Sequence, residues 1–185
     1  MRHEEEVLYD MKIADRAFNN LMLPILESHN LSYTSVEGSK RDLENCVDGY
    51  LNGIPTQLRG QFDTQKMFTF TIKECRDGGG LTGKPKIEYL ISKGLLYPRL
   101  WLQWYGDVDK TVVYGWGMCL TLNLLHAIDY GLATLCNNEV SVVHSTLWSV
   151  PMNKVEDAIF YRYKSDDEIC AIQLKRLRKR AHELQ

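Results

Sequence analysis

Asp48, Gln57 and Arg59 are the residues of this chain whose types and spacing could act together chemically. Asp48 stands in the run Cys46-Val47-Asp48-Gly49-Tyr50-Leu51. Gln57 and Arg59 stand in Ile54-Pro55-Thr56-Gln57-Leu58-Arg59-Gly60-Gln61-Phe62. Asn52-Gly53 between the two runs is the preferred two-residue hairpin turn, because both positions tolerate positive φ. Side chains alternate along a strand, so Gln57 and Arg59 share a face, and the turn folds the two runs together. A carboxylate, an amide oxygen and a cation can then meet in one small volume. Metal-assisted phosphodiester hydrolysis needs such a set: an acid holds a divalent cation, further oxygens complete its shell, and a nearby cation positions water and stabilises charge on phosphorus. The competing reading is that Asp48-Gly49 is a bulge or turn pair and carries no site.

Neighbouring elements must position this set. Apolar residues at Leu8, Met11, Ala14, Phe18, Leu21, Met22 and Ile25 predict an amphipathic helix from Glu4 to Ser28, kinked or shortened by Pro24 and stopped near Asn30. Asp15 falls on its apolar stripe, either as a fourth site residue beside Asp48 or as a stripe-edge acid paired with Arg16, Lys12 or solvent. Leu31 to Val36 reads as a strand, and Met67 to Lys73 alternates as another, predicted to complete a three-stranded antiparallel meander with the hairpin. Pro55 lacks a ladder donor and belongs at a strand start or edge. Lys73 could bring a lysine to the site, subject to a one-residue register choice; Asp42 and Glu44 read as solvated loop charges.

With helix, strand, Val47-Asp48-Gly49, turn and Thr56-Gln57-Leu58-Arg59 in that order, the chain resembles the PD-(D/E)XK nuclease superfamily, which includes restriction endonucleases and Holliday-junction resolvases. The resemblance spans about residues 5–105. It implies a restriction-endonuclease-like three-layer α/β domain, a mixed central sheet flanked by helices, with Mg²⁺ (or Mn²⁺) as cofactor and nucleic acid, chiefly DNA, as partner. It also implies that Asp48 holds the metal, Gln57 replaces the usual Glu, Arg59 takes the Lys position and the Leu58 carbonyl is a further ligand. Gln57 and Arg59 depart from the usual motif: Gln57 is neutral, and Arg59 does not readily give up a proton.

Phosphate contacts are expected from Lys73, Arg76, Lys84 and Lys86, together with Lys66. The cluster Lys175 to Arg180 is as consistent with a solvated helix end as with phosphate binding. Asp77 to Gly83 has four glycines, but Gly83-Lys84 is followed by Pro85, so it reads as a surface loop instead of a phosphate loop. Further elements are predicted as a helix at 87–93, strands at 100–105, 111–116, 140–149 and 158–164, and helices at 120–132 and from Asp166. The aromatic second half, with Trp101, Trp104, Trp116 and Trp148, reads as core packing before base stacking. His126 and His144 lack a metal-ligand spacing.

Composition bounds these readings. The 185 residues, 44% hydrophobic and 25% charged, suit one globular domain and exclude disorder, collagen and coiled coil. Charge is nearly balanced, with 24 acids against 22 bases, so a polyanion must be met by a local basic patch. No apolar run approaches the roughly 20 residues of a membrane span. The start Met1-Arg2-His3-Glu4-Glu5-Glu6 carries no secretion signal, so a cytoplasmic address is expected. Five cysteines without a C-x-x-C pair suggest reduced, mostly buried thiols. The expected function is a metal-dependent nuclease. The alternatives are a non-catalytic nucleic-acid-binding relative of the same fold, or a protein-interaction subunit that uses the aromatic half, with homodimerisation possible.

Overall fold

Asn52 and Gly53 adopt φ of 48° and 80° and close the expected hairpin. The computed structural model describes residues 15–36, 44–62, 68–76, 81–107, 109, 112–138 and 145–163. Its strands, in chain order, are β1 (Tyr33–Ser35), β2 (Gly49–Leu51), β3 (Ile54–Phe62), β4 (Thr69–Arg76), β5 (Leu100–Gly106), β6 (Val113–Leu120), β7 (Thr134–Asn138), β8 (Ser145–Pro151) and β9 (Ile159–Arg162). The α-helices are α1 (Leu23–Ser28), α2 (Gly83–Ser92) and α3 (Thr121–Asp129). A six-stranded sheet runs β1-β2-β3-β5-β6-β9, parallel between β3 and β5 and antiparallel elsewhere; a second sheet runs β4-β8-β7.

The first helix holds where it is described, but its middle, Phe18–Met22, is a π-helix, with the Leu23 N–H bonding the Phe18 carbonyl. The wide turn lies directly before Pro24, the residue that cannot donate to the preceding turn. Asn30, at φ 60°, ends the helix as its spacing suggests. Ala17, Phe18, Leu21, Met22, Ile25 and Leu26 pack on one face of the large sheet, against Leu51, Leu102, Trp104 and Trp116.

The third strand of the expected meander is a correction. β4 does not join β3; it pairs antiparallel with β8 in the small sheet, while β1 supplies the meander's remaining strand. Alternation identifies a strand but not its partner, and the edge of β3 that β4 would occupy is taken along its length by β5. The far face of the large sheet is therefore covered by the three-stranded sheet together with α2 and α3, in place of a layer of helices alone. The architecture is mixed α/β, as expected at that coarse level.

Two buried side chains splice the sheets. β4 is an edge strand, and its outward N–H groups at Thr71 and Thr69 donate to Gln103 Oε1 at 2.7 Å and to Tyr105 Oη at 2.9 Å. Gln103 Nε2 also donates to the Thr71 hydroxyl at 2.9 Å. Gln103, 1% exposed, is the acceptor for the half-buried Thr71 N–H, and Gln103→Leu should leave that N–H unpaired, costing about 2 kcal/mol. Chemical denaturation checks this, and a loss below about 0.5 kcal/mol would mean that the splice contributes little.

Several elements differ from their expected bounds. The helix expected at 87–93 begins at Gly83, and the strand expected at 111–116 extends to Leu120. The helix expected at 120–132 ends at Asp129, and β7 was not anticipated. Trp101, Trp104 and Trp116 are buried, in line with core packing. Of the cysteines whose side chains are described, Cys119 is buried, Cys46 half-buried and Cys136 exposed, all as free thiols; burial pushes the Cys119 thiol up, so it stays protonated. No described helix is long and apolar enough to cross a membrane. The helix expected from Asp166, the Lys175 to Arg180 cluster, Lys66, Asp42 and His144 lie outside the described residues.

Candidate functional site

Asp48 directly precedes β2 and is fixed through its backbone. Its N–H donates to the Thr56 carbonyl at 3.0 Å, and its own carbonyl accepts from the Val36 N–H and the Tyr33 hydroxyl, each at 3.0 Å. The β2–β3 ladder ends at the Gly49–Thr56 pair. Beyond it the Asp48 side chain takes over as partner: Oδ2 accepts from the Leu58 N–H at 2.6 Å and from Gln57 Nε2 at 2.5 Å. Bonds of this kind, from N–H donors to a carboxylate, are the stronger class of protein hydrogen bond.

Gln57 and Arg59 share a face of β3, as alternation requires, and the parallel register sets them beside Trp101 and Gln103 of β5. The Arg59 guanidinium carbon lies 5.8 Å from the centre of the Trp101 ring. Burial lowers the Arg59 pKa below the usual guanidinium value, opposed by the charge of Asp48 and, when ionised, that of Cys46. Cys46 adopts φ 58°, in the left-handed region, two residues before Asp48. Asp48, Gln57 and Arg59 therefore gather at the start of the large sheet's middle strand, with Cys46 at their edge.

The other expected site residues are placed differently. Asp15 is half-buried, helical and the first described residue, and it makes no hydrogen bond or ion pair with Asp48, Gln57 or Arg59 among the described residues. Lys73 is half-buried on β4 and shares a strand face with Thr69 and Thr71, opposite the core residues Phe70 and Ile72. Lys84 is committed elsewhere: its ammonium lies 2.5 Å from Glu88 Oε1 and 3.6 Å from Asp129 Oδ1. Burial works against the Lys84 charge, but Glu88, Asp129 and Glu74 outweigh it and raise its pKa. Lys86 is half-buried on α2, Glu44 is exposed, and the Arg76 side chain lies outside the described residues.

The donor set suits a hard divalent cation in kind: one carboxylate at Asp48, the amide oxygen of Gln57 and the backbone carbonyl of Leu58. It is low in charge, and no group of three or more His, Cys, Asp or Glu gathers among the described residues. Gln57 turns its nitrogen to Asp48; a half-turn of the terminal amide would present its oxygen instead.

Trp101, which from sequence reads as core packing before base stacking, is a neighbour of the site. Finding it requires knowing that β5 lies parallel to β3, which no local pattern shows. No family model, no curated protein and no solved structure matches this chain.

Proposed function

We propose that this chain is a metal-dependent nuclease with a variant Asp, Gln-x-Arg site on a restriction-endonuclease-like α/β domain. The observation that carries the reading is the Asp48 carboxylate held against the Gln57 amide and the Leu58 backbone, with Arg59 on the same strand face. The order of helix, Asp-bearing segment, two-residue turn and Gln-x-Arg strand supports it, and so does the mixed sheet. Asp48, the Gln57 amide oxygen and the Leu58 carbonyl would hold Mg²⁺ or Mn²⁺, which when bound supplies Lewis-acid chemistry at a phosphodiester. Arg59 acts by charge on the phosphoryl oxygens and not as a base, since a guanidinium keeps its proton.

The test is cleavage of supercoiled plasmid and branched DNA with Mg²⁺ or Mn²⁺. The expected result is metal-dependent cleavage that falls at least about 100-fold in Asp48→Ala. Equal activity in that variant removes the assignment. A second reading, a nucleic-acid-binding protein without cleavage, is favoured by the Gln57–Asp48 bond, which satisfies the carboxylate without a metal. It predicts salt-sensitive binding and no metal-dependent cutting.

A further inference from the structure

Two N–H donors beside the site, Arg59 Nε and Trp101 Nε1, are sealed from solvent and have no acceptor among the described residues. Leaving a buried donor unpaired costs about 1–3 kcal/mol, so two of them on adjacent strands mark a place where an acceptor is needed. Packing alone does not call for an N–H at position 101. Both donors belong to one patch: Trp101 is the register partner of Gln57, and the Arg59 guanidinium carbon is 5.8 Å from the Trp101 ring. Because one donor is cationic, the fitting acceptor is an anion, and a guanidinium beside a neutral N–H suits a tetrahedral oxyanion.

Depth selects the kind of phosphate. Trp101 and Gln103, which floor this part of the sheet, are each 1% exposed, whereas Asp48, Gln57 and Arg59 are half-buried. An internal phosphodiester carries a sugar on both sides of phosphorus, which makes it the bulkier group to bring against a buried indole. A terminal monoester presents three free oxygens on one side. It is also close to a dianion at neutral pH, with a second pKa of about 6, which strengthens its pairing with a guanidinium.

We propose that Arg59 and Trp101 form a pocket for the terminal phosphate monoester of a nucleic-acid strand, placing a strand end against Asp48 and Gln57. The inference rests on the nucleic-acid reading above only for what the phosphate is attached to; the need of the two donors for an acceptor does not depend on it.

The experiment is titration of the full chain, followed by the indole N–H signals in ¹H–¹⁵N spectra, with inorganic phosphate and with oligonucleotides bearing a 5′-phosphate, a 3′-phosphate or neither. The indole signal that is missing in Trp101→Phe should move with inorganic phosphate. One of the phosphorylated oligonucleotides should bind at least about 10-fold more tightly than the unphosphorylated one. Trp101→Phe keeps an aromatic side chain without the N–H and should abolish that preference, and Arg59→Met should abolish it as well. An unmoved Trp101 signal, or equal affinity for phosphorylated and unphosphorylated ends, overturns the proposal. The two readings fail separately: a terminal-phosphate preference without cleavage removes the nuclease and leaves the pocket, while cleavage without that preference removes the pocket alone.

Discussion

Gly83→Ala is expected to lower stability by about 3 kcal/mol, whereas Gly94→Ala should cost about 1 kcal/mol. Both glycines sit in the left-handed region, at φ 58° and 62°, so alanine meets a similar backbone penalty at either. They differ in surroundings. A Cβ at Gly94 would meet nothing within 4 Å, whereas one at Gly83 would lie 2.2 Å from the Lys73 carbonyl oxygen and 2.7 Å from the Lys73 Cβ. The first of these is backbone of β4, which is anchored on its other side by β8, so it cannot swing away as a side-chain tip could. The helix start has to lift instead, and α2 lies on the crossover that brings the chain from β3 to its parallel neighbour β5. Urea denaturation of the two variants side by side isolates the clash from the shared backbone term. Equal losses would mean that the close approach of α2 to β4 is not a constraint.

Gly83 also shows what the sequence made legible. A run with four glycines can mean a mobile loop, a phosphate cradle or a close approach of backbones, and composition does not choose among them. Local features were readable for a physical reason: Asn52-Gly53 works through its own two φ angles, and the Gln57–Arg59 alternation follows from strand geometry alone. The gathering of Asp48, Gln57 and Arg59 was legible because a two-residue turn leaves few alternatives for pairing. Partnership across long separations was not. The choice of β8 for β4 and of β5 for β3 depends on how whole faces bury, and Phe70 and Ile72 would satisfy alternation against any apolar partner. Trp101 stayed invisible as a site neighbour for the same reason. Lys84 reads from sequence as a free phosphate donor because the helix is expected only from 87, which hides its i,i+4 partner Glu88, and because Asp129 lies on a different helix.

Gln57→Glu should turn a satisfied pair into a metal-dependent one. In the native chain Gln57 Nε2 donates to Asp48 Oδ2 at 2.5 Å; the substitution replaces that donor with a second carboxylate oxygen facing the first. Without metal at neutral pH the loss combines a hydrogen bond to a charged group with like-charge repulsion, about 3 kcal/mol together. The sign with pH follows from the repulsion. Two carboxylates in contact hold a shared proton more tightly when folded than when unfolded, so their folded pKa is raised. The deficit is therefore small in acid, grows as pH rises through the carboxylate range and is complete by neutrality. Mg²⁺ or Mn²⁺ should reverse it. A cation at 100 times its dissociation constant returns about 2.7 kcal/mol, and the midpoint of thermal unfolding should climb with metal concentration. Gln57→Leu removes the same donor without adding charge, so its loss should not respond to metal and should vary with pH only as far as Asp48 itself is protonated in acid. If Gln57→Glu stays as unstable in millimolar Mg²⁺ or Mn²⁺ as without it, the Leu58 carbonyl and the two acids do not converge on a cation. The Asp48–Gln57 pair is then a hydrogen-bonded brace that closes the β2–β3 ladder where its backbone pairing ends.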